Sequence, residues 1–312
     1  MISSLELARL CGVSQGSVDR ALHNRPGISD ATKEKILAAA AKHGYQPNPA
    51  AREILTGKNN TVGALVPHLN SVFFMDLMNE VRKALRQENY RFVLSPVETD
   101  EELLEMLSDF SARRYCATII ISHSPLLTIP RNLTRQMKVI SLLNPCRGAN
   151  THFLSPDELK TGREAVRYLV DRGCRDIIHL TYKRLEFDAV KKRSDGYTEE
   201  MCARKLSPTT WAGFDEEQIV KTLRHAQKPA LFCHNDWLAL SAVRLLEKHG
   251  FRIPQDVSVL GVDNSPTFNT LCPDISSISY PSAWLASQVP RILKGLKTNP
   301  APSWEVVTRK TS

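Results

Sequence analysis

The sequence predicts an α/β protein in which a small all-α head precedes a core of two doubly wound subdomains. The 312 residues are enough for about two domains and a small extra module. Residues 1–57 contain helical patterns and tight turns but no strand signal. After Thr61, short apolar runs alternate with amphipathic stretches, which is the pattern of parallel β-α-β units.

Three short helices are predicted in the head, each preceded by a serine that can cap it. Ser3 and Glu6 have the spacing of a capping box, and Gly12 ends the helix that they open. We expect Leu5, Ala8 and Cys11 to share one face of this helix, which is buried. The other two predicted helices cover residues 15–22 and 30–43. Gly44 follows the second of these, at a position where the end of a helix favours a glycine with a positive φ.

In the core, the predicted strands are continuous apolar runs, because a parallel sheet covered on both faces buries both sides of each strand. Such sheets bind ligands beyond the carboxyl ends of their strands. The predicted strands cover residues 62–66, 90–94, 117–122, 138–142, 177–181, 230–233, 257–262 and 276–279. The predicted helices cover residues 74–87, 101–113, 161–172, 188–204, 216–226, 237–248 and 282–296.

Composition excludes several classes of protein. The chain is 42% hydrophobic, which is enough for a packed core, but it has no apolar run long enough to span a membrane. No basic segment followed by an apolar stretch begins the chain, so we expect no secretory signal and a cytoplasmic location. The seven cysteines are scattered without a Cys-x-x-Cys pair, so we expect reduced thiols.

The net charge of +8 points weakly to a polyanionic partner. Residues 1–60 carry eight basic and five acidic side chains, a net charge of +3. The charge is therefore only modestly concentrated in the head, and charge alone does not identify a nucleic-acid-binding protein.

Ala8, Gly12 and Val18 have the A-x3-G-x5-V spacing of a helix-turn-helix. A small residue lets the two helices approach, the glycine makes the turn, and the β-branched side chain fills the angle between the helices. An ordinary helical hairpin can have the same spacing. Polar residues at the start of the second helix and the size of the three-helix segment favour DNA binding.

Residues 7–22 resemble the opening of the lactose-repressor (LacI/GalR) family, and residues 29–42, 44–48 and 51–58 continue the resemblance. It then extends through nearly the whole chain. Residues 193–197 match R-x-x-G-[FY], residues 232–239 match C-x-N-D-x-x-A, and residues 250–264 match G-x-x-[VI]-P-x-D-V-S-V-x-G-[FV]-D. The resemblance implies a core with the periplasmic-binding-protein-like fold that this family uses as a sensor.

The resemblance also implies how the chain is divided. We expect a helix-turn-helix head at 1–47, a hinge helix and linker at 48–60, and an effector-binding core at 61–312. Within the core, the N-subdomain is expected at about 61–156 plus 281–303 and the C-subdomain at about 157–280 plus 304–312. Paired hinge helices of a homodimer would insert Ile54 into the minor groove and kink the DNA. A simple linker with Ile54 packed on the core is the alternative.

The family pattern further implies which residues contact DNA. Gln15, Gly16 and Ser17 begin the recognition helix, and Gln15 can hydrogen-bond base edges, with adenine as its best match. Asp19 stands where the family commonly has Ser. An acidic group near phosphates is unfavourable unless Asp19 pairs with Arg20 or accepts from a cytosine amino group. The expected DNA contacts are Ser4, Ser14, Gln15, Gly16, Ser17, Arg20, Asn24, Tyr45, Asn48, Ala51, Ile54 and Leu55.

A second implied set of residues lines a cleft between the subdomains. The Arg193 guanidinium can hold two vicinal hydroxyls, a carboxylate or a phosphate, and Asp263 ends a buried strand where it can accept from two sugar hydroxyls. Asn235 can donate and accept, whereas Asp236 is expected to cap the next helix. Trp237 can stack on a pyranose, although core packing is the favoured interpretation. The expected effector contacts are Ser71, Phe73, Phe74, Asp157, Arg193, Asn235, Trp237, Asp263 and Tyr280, with core packing an equal alternative for the two phenylalanines.

We therefore expect a homodimeric transcriptional repressor whose partners are operator DNA and a small-molecule effector. A sugar or sugar derivative is the expected effector, and a nucleobase or nucleoside is the alternative. Neither an enzyme nor a cofactor or metal site is expected, because the sequence has no dinucleotide loop, phosphate loop, nucleophile elbow or zinc-protease motif. A secreted solute-binding protein would share the core but would need a signal sequence. No leucine heptad follows the core, so we expect a dimer without a tetramerising tail.

Overall fold

The structure is a computed structural model that describes residues 2–45, 59–135, 137–183 and 186–312. The chain divides into two compact units, Met1–Lys58 and Asn59–Ser312. The expected hinge contacts Asn48, Ala51, Ile54 and Leu55 lie outside the described residues. In the part of the chain that is described, no helix is both long and apolar enough to cross a membrane.

The described part of the head contains the helices α1 (Ser4–Cys11), α2 (Gln15–Leu22) and α3 (Asp30–Lys42). Ser3 and Glu6 form the predicted capping box, and Gly12 ends α1 with a φ of 64°. The expected burial of Leu5 is wrong: Leu5 is 49% exposed, and Leu7 fills the head core instead. Leu5 and Leu7 lie about 200° apart around the helix axis, because each residue advances by about 100°, so the burial of Leu7 turns Leu5 toward solvent.

Ala8 and Val18 are buried in the same apolar cluster of the head, and Gly12 makes the turn between their helices. The helical arrangement that the A-x3-G-x5-V spacing predicts is therefore confirmed. Ile36 and Ala40 of α3 complete the cluster.

The second unit contains two β-sheets covered by helices, which we call the N-lobe and the C-lobe. The N-lobe strands are β1 (Thr61–Val66), β2 (Arg91–Pro96), β3 (Ala117–Ile120), β5 (Lys138–Leu142) and β7 (Thr151–Leu154), and a separate pair is formed by β4 (Leu127–Thr128) and β6 (Cys146–Arg147). The helices of this part of the chain are α4 (Val72–Gln87), α5 (Asp100–Ala112) and α6 (Arg131–Thr134). The sheet is parallel throughout, in the order β2-β1-β3-β5-β7.

The C-lobe strands are β8 (Ile177–Thr181), β9 (Thr209–Ala212), β10 (Ala230–Cys233), β11 (Ser258–Asp263), β12 (Ser276–Ser279) and β13 (Val306–Val307). Its helices are α7 (Glu158–Asp171), α8 (Asp188–Ala203), α9 (Glu216–Leu223), α10 (Asp236–Lys248) and α11 (Pro266–Leu271). The order is β13-β12-β11-β10-β8-β9, and only β13 runs antiparallel to its neighbour.

The chain passes from the N-lobe to the C-lobe after β7 and returns after β12 to form α12 (Ser282–Leu293). Leu285 and Val289 of α12 pack in the same apolar cluster as Val62 and Leu77 of the N-lobe. The chain then reaches β13 at the edge of the C-lobe sheet. The lobes are thus built from interleaved segments, and each crossing lies next to the carboxyl ends of strands.

The predicted alternation of strands and helices is confirmed, and so is the burial of both faces of the sheets. In β1, Val62, Ala64 and Val66 belong to one apolar cluster and Leu65 to another on the opposite face. β4, β6, β7, β9 and β13 were not predicted from the sequence. β4, β6 and β13 have only two residues each. β7 and β9 are edge strands with partly exposed, mixed sequences, so neither contains the apolar run that marks a central strand.

Candidate functional site

Four of the expected DNA contacts lie together at the N-terminal ends of α1 and α2. The Nε2 of Gln15 donates to the Ser4 Oγ at 2.6 Å. Ser14 caps α2, and its Oγ accepts from the backbone N–H of Ser17 at 3.1 Å. This end of α2 combines polar side chains with free backbone amides, which suits contact with phosphates and base edges.

The remaining described DNA contacts of the head are less uniform. Gly16 and Arg20 are exposed on α2. Asn24 adopts a φ of 53° and its Oδ1 accepts from the Lys33 ammonium at 2.5 Å. Tyr45 is half-buried and packs against the head core. Tyr45 therefore contributes to the packing of the head in addition to any contact that it makes with DNA.

Asp19 does not pair with Arg20. Its Oδ2 accepts from the Arg25 Nη1 at 2.9 Å, and its Oδ1 lies 3.1 Å from the His23 Nδ1. The turn after α2 brings these two partners back to the carboxylate. The negative charge of Asp19 is thus compensated locally by Arg25. Arg25 is then not free to contact a phosphate.

A cavity of about 510 Å³ lies between the two lobes, and we call it the interlobe cavity. Its wall collects residues that follow β1, β3, β5, β8, β10 and β12, so it forms at the carboxyl ends of strands from both sheets. Of the expected effector contacts, it brings together Ser71, Phe73, Phe74, Arg193, Asn235, Asp263 and Tyr280.

Arg193 is buried in the wall of this cavity and its guanidinium is largely occupied by protein groups. Its Nε and Nη2 both donate to the Oε2 of Glu158, at 3.0 and 2.7 Å, and its Nη1 donates to the His234 carbonyl. Burial opposes the positive charge, but Glu158 and Asp263 outweigh it and hold the pKa of Arg193 above its ordinary value. The sequence predicted a guanidinium that is free to bind a ligand, but protein groups occupy three of its five N–H donors. One N–H is left on each terminal nitrogen.

Two glycines allow Arg193 and Glu158 to meet. A Cβ on Gly162 of α7 would overlap the Arg193 carbonyl, and a Cβ on Gly196 of α8 would overlap the Leu159 carbonyl. The two helices can therefore approach backbone to backbone. This close packing explains the glycine in the R-x-x-G pattern. Because Gly196 lets α8 approach α7, Arg193, three residues before Gly196, lies against the start of α7.

The helix-capping role expected of Asp236 belongs to Asn235, which also lines the interlobe cavity as expected. Asn235 caps α10, since its Oδ1 accepts from the Leu238 N–H at 3.0 Å, and its Nδ2 donates to the Tyr182 hydroxyl at 2.9 Å. Asp236 is buried and accepts from the Ser277 hydroxyl at 2.6 Å and from the backbone N–H of Asn264 at 2.8 Å. Asp236 thus ties the start of α10 to the ends of β11 and β12.

Asp263 stands at the end of β11 with a φ of 119°, and Asn264 follows with a φ of 49°. Backbone in this region is unfavourable for residues other than glycine, and such strain concentrates at functional sites. Burial, and then the negative charge of Asp236, raise the pKa of the Asp263 carboxyl well above its ordinary value. The turn aims this carboxylate into the interlobe cavity.

Aromatic rings form the apolar part of the cavity wall. The rings of Phe73 and Tyr280 meet edge to face with centroids 4.9 Å apart, and Phe74 lies against the His68 ring at 5.4 Å. Both phenylalanines also pack against the N-lobe core. They therefore combine core packing with exposure to the cavity, and the two interpretations of the sequence are compatible.

Two expected effector contacts lie elsewhere. Asp157 is exposed and caps α7 by accepting from the Lys160 N–H at 3.1 Å, so the carboxylate that faces the cavity belongs to the next residue, Glu158. Trp237 is 58% exposed, which makes the interpretation as a core residue wrong. It lines a second cavity of about 310 Å³ that shares Asn235 and Asp263 with the first.

Four buried polar atoms around the interlobe cavity have no hydrogen-bond partner among the described residues. They are the Asn144 Oδ1, the Glu158 Oε1, the His234 Nδ1 and the Tyr280 hydroxyl. Burial and the neighbouring charge of Arg193 lower the pKa of His234 well below its ordinary value, so its imidazole is neutral. Buried polar atoms are normally paired, so this set indicates a place for a polar ligand.

Several of these wall residues were not predicted from the sequence. Asn144, Tyr182 and His234 each follow the end of a predicted strand, so the rule that ligands bind beyond carboxyl ends of strands could have selected them. Glu158 had no such signal, because a glutamate beside a helix cap is usually exposed. In the described part of the chain, no group of three or more His, Cys, Asp or Glu side chains is placed to hold a metal ion.

The lobes are also joined beside the cavity. Thr267 of α11 donates to the Asp76 carboxylate of α4 through its hydroxyl at 2.7 Å and its backbone N–H at 3.0 Å. Asp76 lies one turn of α4 beyond Phe73. A change in the contents of the cavity can therefore act on a direct polar contact between the lobes.

Both compact units of the chain match known protein families. The family model "bacterial regulatory proteins, lacI family" matches residues 5–48, and the model of a periplasmic binding protein-like domain matches residues 166–311. The HTH-type transcriptional regulator GalS of Salmonella typhimurium is 28% identical over 305 residues, covering 92% of this chain and 87% of the relative. The HTH-type transcriptional repressor PurR of Mannheimia succiniciproducens is 23% identical over 309 residues, covering 94% and 91%. The Lac repressor dimer bound to operator and the anti-inducer ONPF has a TM-score of 0.81 at 20% identity, covering 99% and 98% of the two chains.

Proposed function

Because the chain belongs to the lacI family of bacterial regulatory proteins, we propose that it is a repressor controlled by a carbohydrate bound in the interlobe cavity. It is a DNA-binding transcriptional regulator rather than an enzyme, as its named relatives are. We propose both the chemical class of the effector and the way in which the effector acts.

The observation that supports a carbohydrate most directly is the set of four unpaired buried polar atoms in a wall that also carries aromatic rings. A sugar has hydroxyl groups that can donate to Asn144 and Glu158 and apolar C–H faces that can rest on Phe73 or Tyr280. Few other small molecules combine dense hydroxyl groups with an apolar face. The cavity volume of about 510 Å³ is within the range of small-molecule sites.

A nucleobase or nucleoside is the second candidate. The tilted pair of His68 and Phe74, with ring centroids 5.4 Å apart, offers a surface on which a planar base can stack. A nucleoside would also present ribose hydroxyls to the same acceptors. The two candidates differ in whether the affinity depends on a planar base or on hydroxyl groups alone.

The proposed mechanism couples the two binding activities. Two copies of the head read a pseudo-palindromic operator, and the effector changes how the lobes meet around contacts such as Thr267 with Asp76. The expected hinge helix and linker at 48–60 would transmit this change to the head. Coupling of this kind is reciprocal, so effector and operator alter one another's affinity by the same factor.

A thermal-shift screen of monosaccharides, disaccharides, sugar acids and nucleosides tests the effector class, because a ligand of the native state raises the Tm. Fluorescence anisotropy with pooled operator-like palindromes tests the DNA partner. We expect salt-dependent binding with sequence preference and at least one carbohydrate that changes it. The absence of sequence preference at moderate salt would refute the repressor, and a response to nucleosides alone would replace the carbohydrate.

A further inference from the structure

The interlobe cavity has an uneven set of charges. Arg193 is the only lysine or arginine among the described residues of its wall, whereas Glu158 and Asp263 both contribute carboxylates. The second cavity, which shares Asp263, has no lysine or arginine in its described wall either. Among the described residues, cations are thus outnumbered by anions in the space where the effector is proposed to bind.

The single cation is already paired. Arg193 and Glu158 are 4% and 0% exposed, and two guanidinium nitrogens share the Glu158 Oε2. An incoming phosphate or carboxylate could use only the remaining N–H groups of this guanidinium, whose charge already compensates Glu158, so the second anion would be only partly compensated in a region of low dielectric. Arg193 is therefore poorly placed to receive an anionic ligand.

Asp263 shares the charge of Arg193 with Glu158, which alone of the two carboxylates holds that guanidinium by hydrogen bonds. No hydrogen bond to its carboxylate is formed by the described residues, although the side chain faces both cavities. The Asp236 carboxylate, which is close enough to raise the pKa of Asp263, adds to the negative potential. A ligand cation beside Asp263 would relieve this repulsion, whereas a ligand anion would increase it.

Two of the four unpaired buried atoms have the same bias. The Asn144 Oδ1 is an amide oxygen and can only accept hydrogen bonds. The Glu158 Oε1 can likewise only accept when the carboxyl group is ionised. The Tyr280 hydroxyl can either donate or accept. Each of these residues is at least nine-tenths buried, with exposures of 5%, 0% and 6%. A ligand that satisfies them must be rich in donors, and an ammonium group supplies three donors together with a positive charge.

We propose that the effector of this protein is an amino sugar, with a protonated amine beside Asp263 and hydroxyls toward Asn144 and Glu158. This inference rests on the proposed function, because it assumes that a carbohydrate binds in the interlobe cavity. It excludes sugar phosphates and sugar acids as effectors of this chain.

The test uses matched sets of sugars in the gluco, galacto and manno configurations. Each set contains the neutral hexose, its amino sugars with the amine at C2, C3 or C6, its 6-phosphate and its uronate. The Kd of each sugar for the full-length protein is measured by calorimetry at neutral pH, where most of each amine is protonated and the raised pKa of Asp263 opposes its ionisation less than it would in acid. Operator binding is measured by anisotropy with the same sugars. We expect an amino sugar to bind about tenfold or more tightly than its neutral parent, and the anions not to bind.

Two variants locate the charge effect. Asp263→Asn keeps the size of the side chain and suits a positive φ, so the protein should fold, and the ratio of its affinities for the amino sugar and for the neutral hexose should fall toward one. Asp157→Asn is the matched control: its carboxylate lies outside the cavity, and asparagine also caps helices. We expect the control to retain the preference.

The possible outcomes are distinct. An amine preference that Asp263→Asn abolishes and Asp157→Asn retains supports the inference. Neutral or anionic sugars that bind and change operator affinity, while no amine is preferred, overturn the inference but leave the carbohydrate-controlled repressor intact. If no carbohydrate of any charge binds, the inference and the proposed carbohydrate effector both fail. If the amine preference survives in Asp263→Asn, the placement of the amine is wrong.

Discussion

The guanidinium of Arg193 donates through Nε and Nη2 to a single oxygen of Glu158, and neither side chain is more than 4% exposed. This ion pair joins α8 to α7 at the wall of the interlobe cavity. The guanidinium that the family pattern suggests as a ligand-binding group is therefore also a structural partner. Its loss would affect the fold as well as ligand binding.

We expect Glu158→Ala and Arg193→Ala each to destabilise the core unit by about 3–5 kcal/mol, because each leaves a buried charge without its partner. The double variant Arg193→Met/Glu158→Met should recover most of this loss, since it replaces both charges by apolar groups. Denaturant unfolding followed by tryptophan fluorescence measures the difference.

The surface pair of Arg113 and Asp109 provides the control for this experiment. Its side chains are 64% and 44% exposed, so Arg113→Ala should leave the unfolding midpoint almost unchanged. A loss for Glu158→Ala as small as that of the control would show that the buried pair is not needed for stability.

The carboxyl of Asp236 should make stability depend on pH. Burial raises its pKa to about 7, against a value of 3.8 for the unfolded chain, although hydrogen bonds from Ser277 and Asn264 and the charges of Arg309 and Arg193 favour ionisation. Between these values the folded protein binds more protons than the unfolded chain. Stability should therefore fall as pH rises through this window and change no further above it.

Asp236→Asn removes this titration. We expect the Tm of the unmodified protein to fall between pH about 5 and about 8 by more than that of the variant, which retains the other ionisable groups. Asp263 also has a raised pKa, so part of the dependence should persist in the variant. Parallel Tm profiles for the two proteins would contradict the pKa assigned to Asp236.

Gly196→Ala should separate α7 from α8. The new Cβ would overlap the Leu159 carbonyl, a backbone atom that cannot rotate away, so we expect a loss of about 1–3 kcal/mol or more. Ligand affinity should fall with it, because Glu158 precedes Leu159. Gly16→Ala in α2 is the control: its Cβ would meet nothing closer than 3.8 Å, and alanine favours helices. Equal effects of the two substitutions would refute the packing argument.

Asp19→Asn should strengthen DNA binding by the head. The change removes a negative charge from α2 and releases Arg25 from its ion pair at 2.9 Å. We expect the slope of log K against log salt concentration to steepen by about one phosphate contact. Anisotropy at several salt concentrations measures the slope, and Arg25→Gln should not steepen it. An unchanged affinity and slope in Asp19→Asn would show that this carboxylate does not oppose DNA.

The general architecture could be predicted from the sequence because it depends on short-range patterns. Capping serines, turn glycines and apolar runs lie within a few residues of the elements that they define, as Ser3 with Glu6 and Gly12 illustrate. The edge strands β7 and β9 escaped detection because their partners, rather than their own side chains, make them strands.

The chemistry of the cavity was harder to predict because it depends on pairs that are distant in sequence. Arg193 was identified, but its partner Glu158 lies 35 residues away on another helix. Asp157 was chosen in place of Glu158, because a sequence shows which residues are acidic but not which of two neighbours turns inward. Thr267 and Asp76 are separated by 191 residues, and neither belongs to a recognisable motif.

The most direct measurement of the central claim is the affinity of the full-length protein for a selected operator palindrome with and without a saturating carbohydrate that raises its Tm. We expect the two affinities to differ by about 5- to 150-fold, and the affinity for the carbohydrate to differ by the same factor with and without operator. An operator affinity that is unchanged by a carbohydrate bound in the interlobe cavity would contradict the claim that this cavity controls DNA binding.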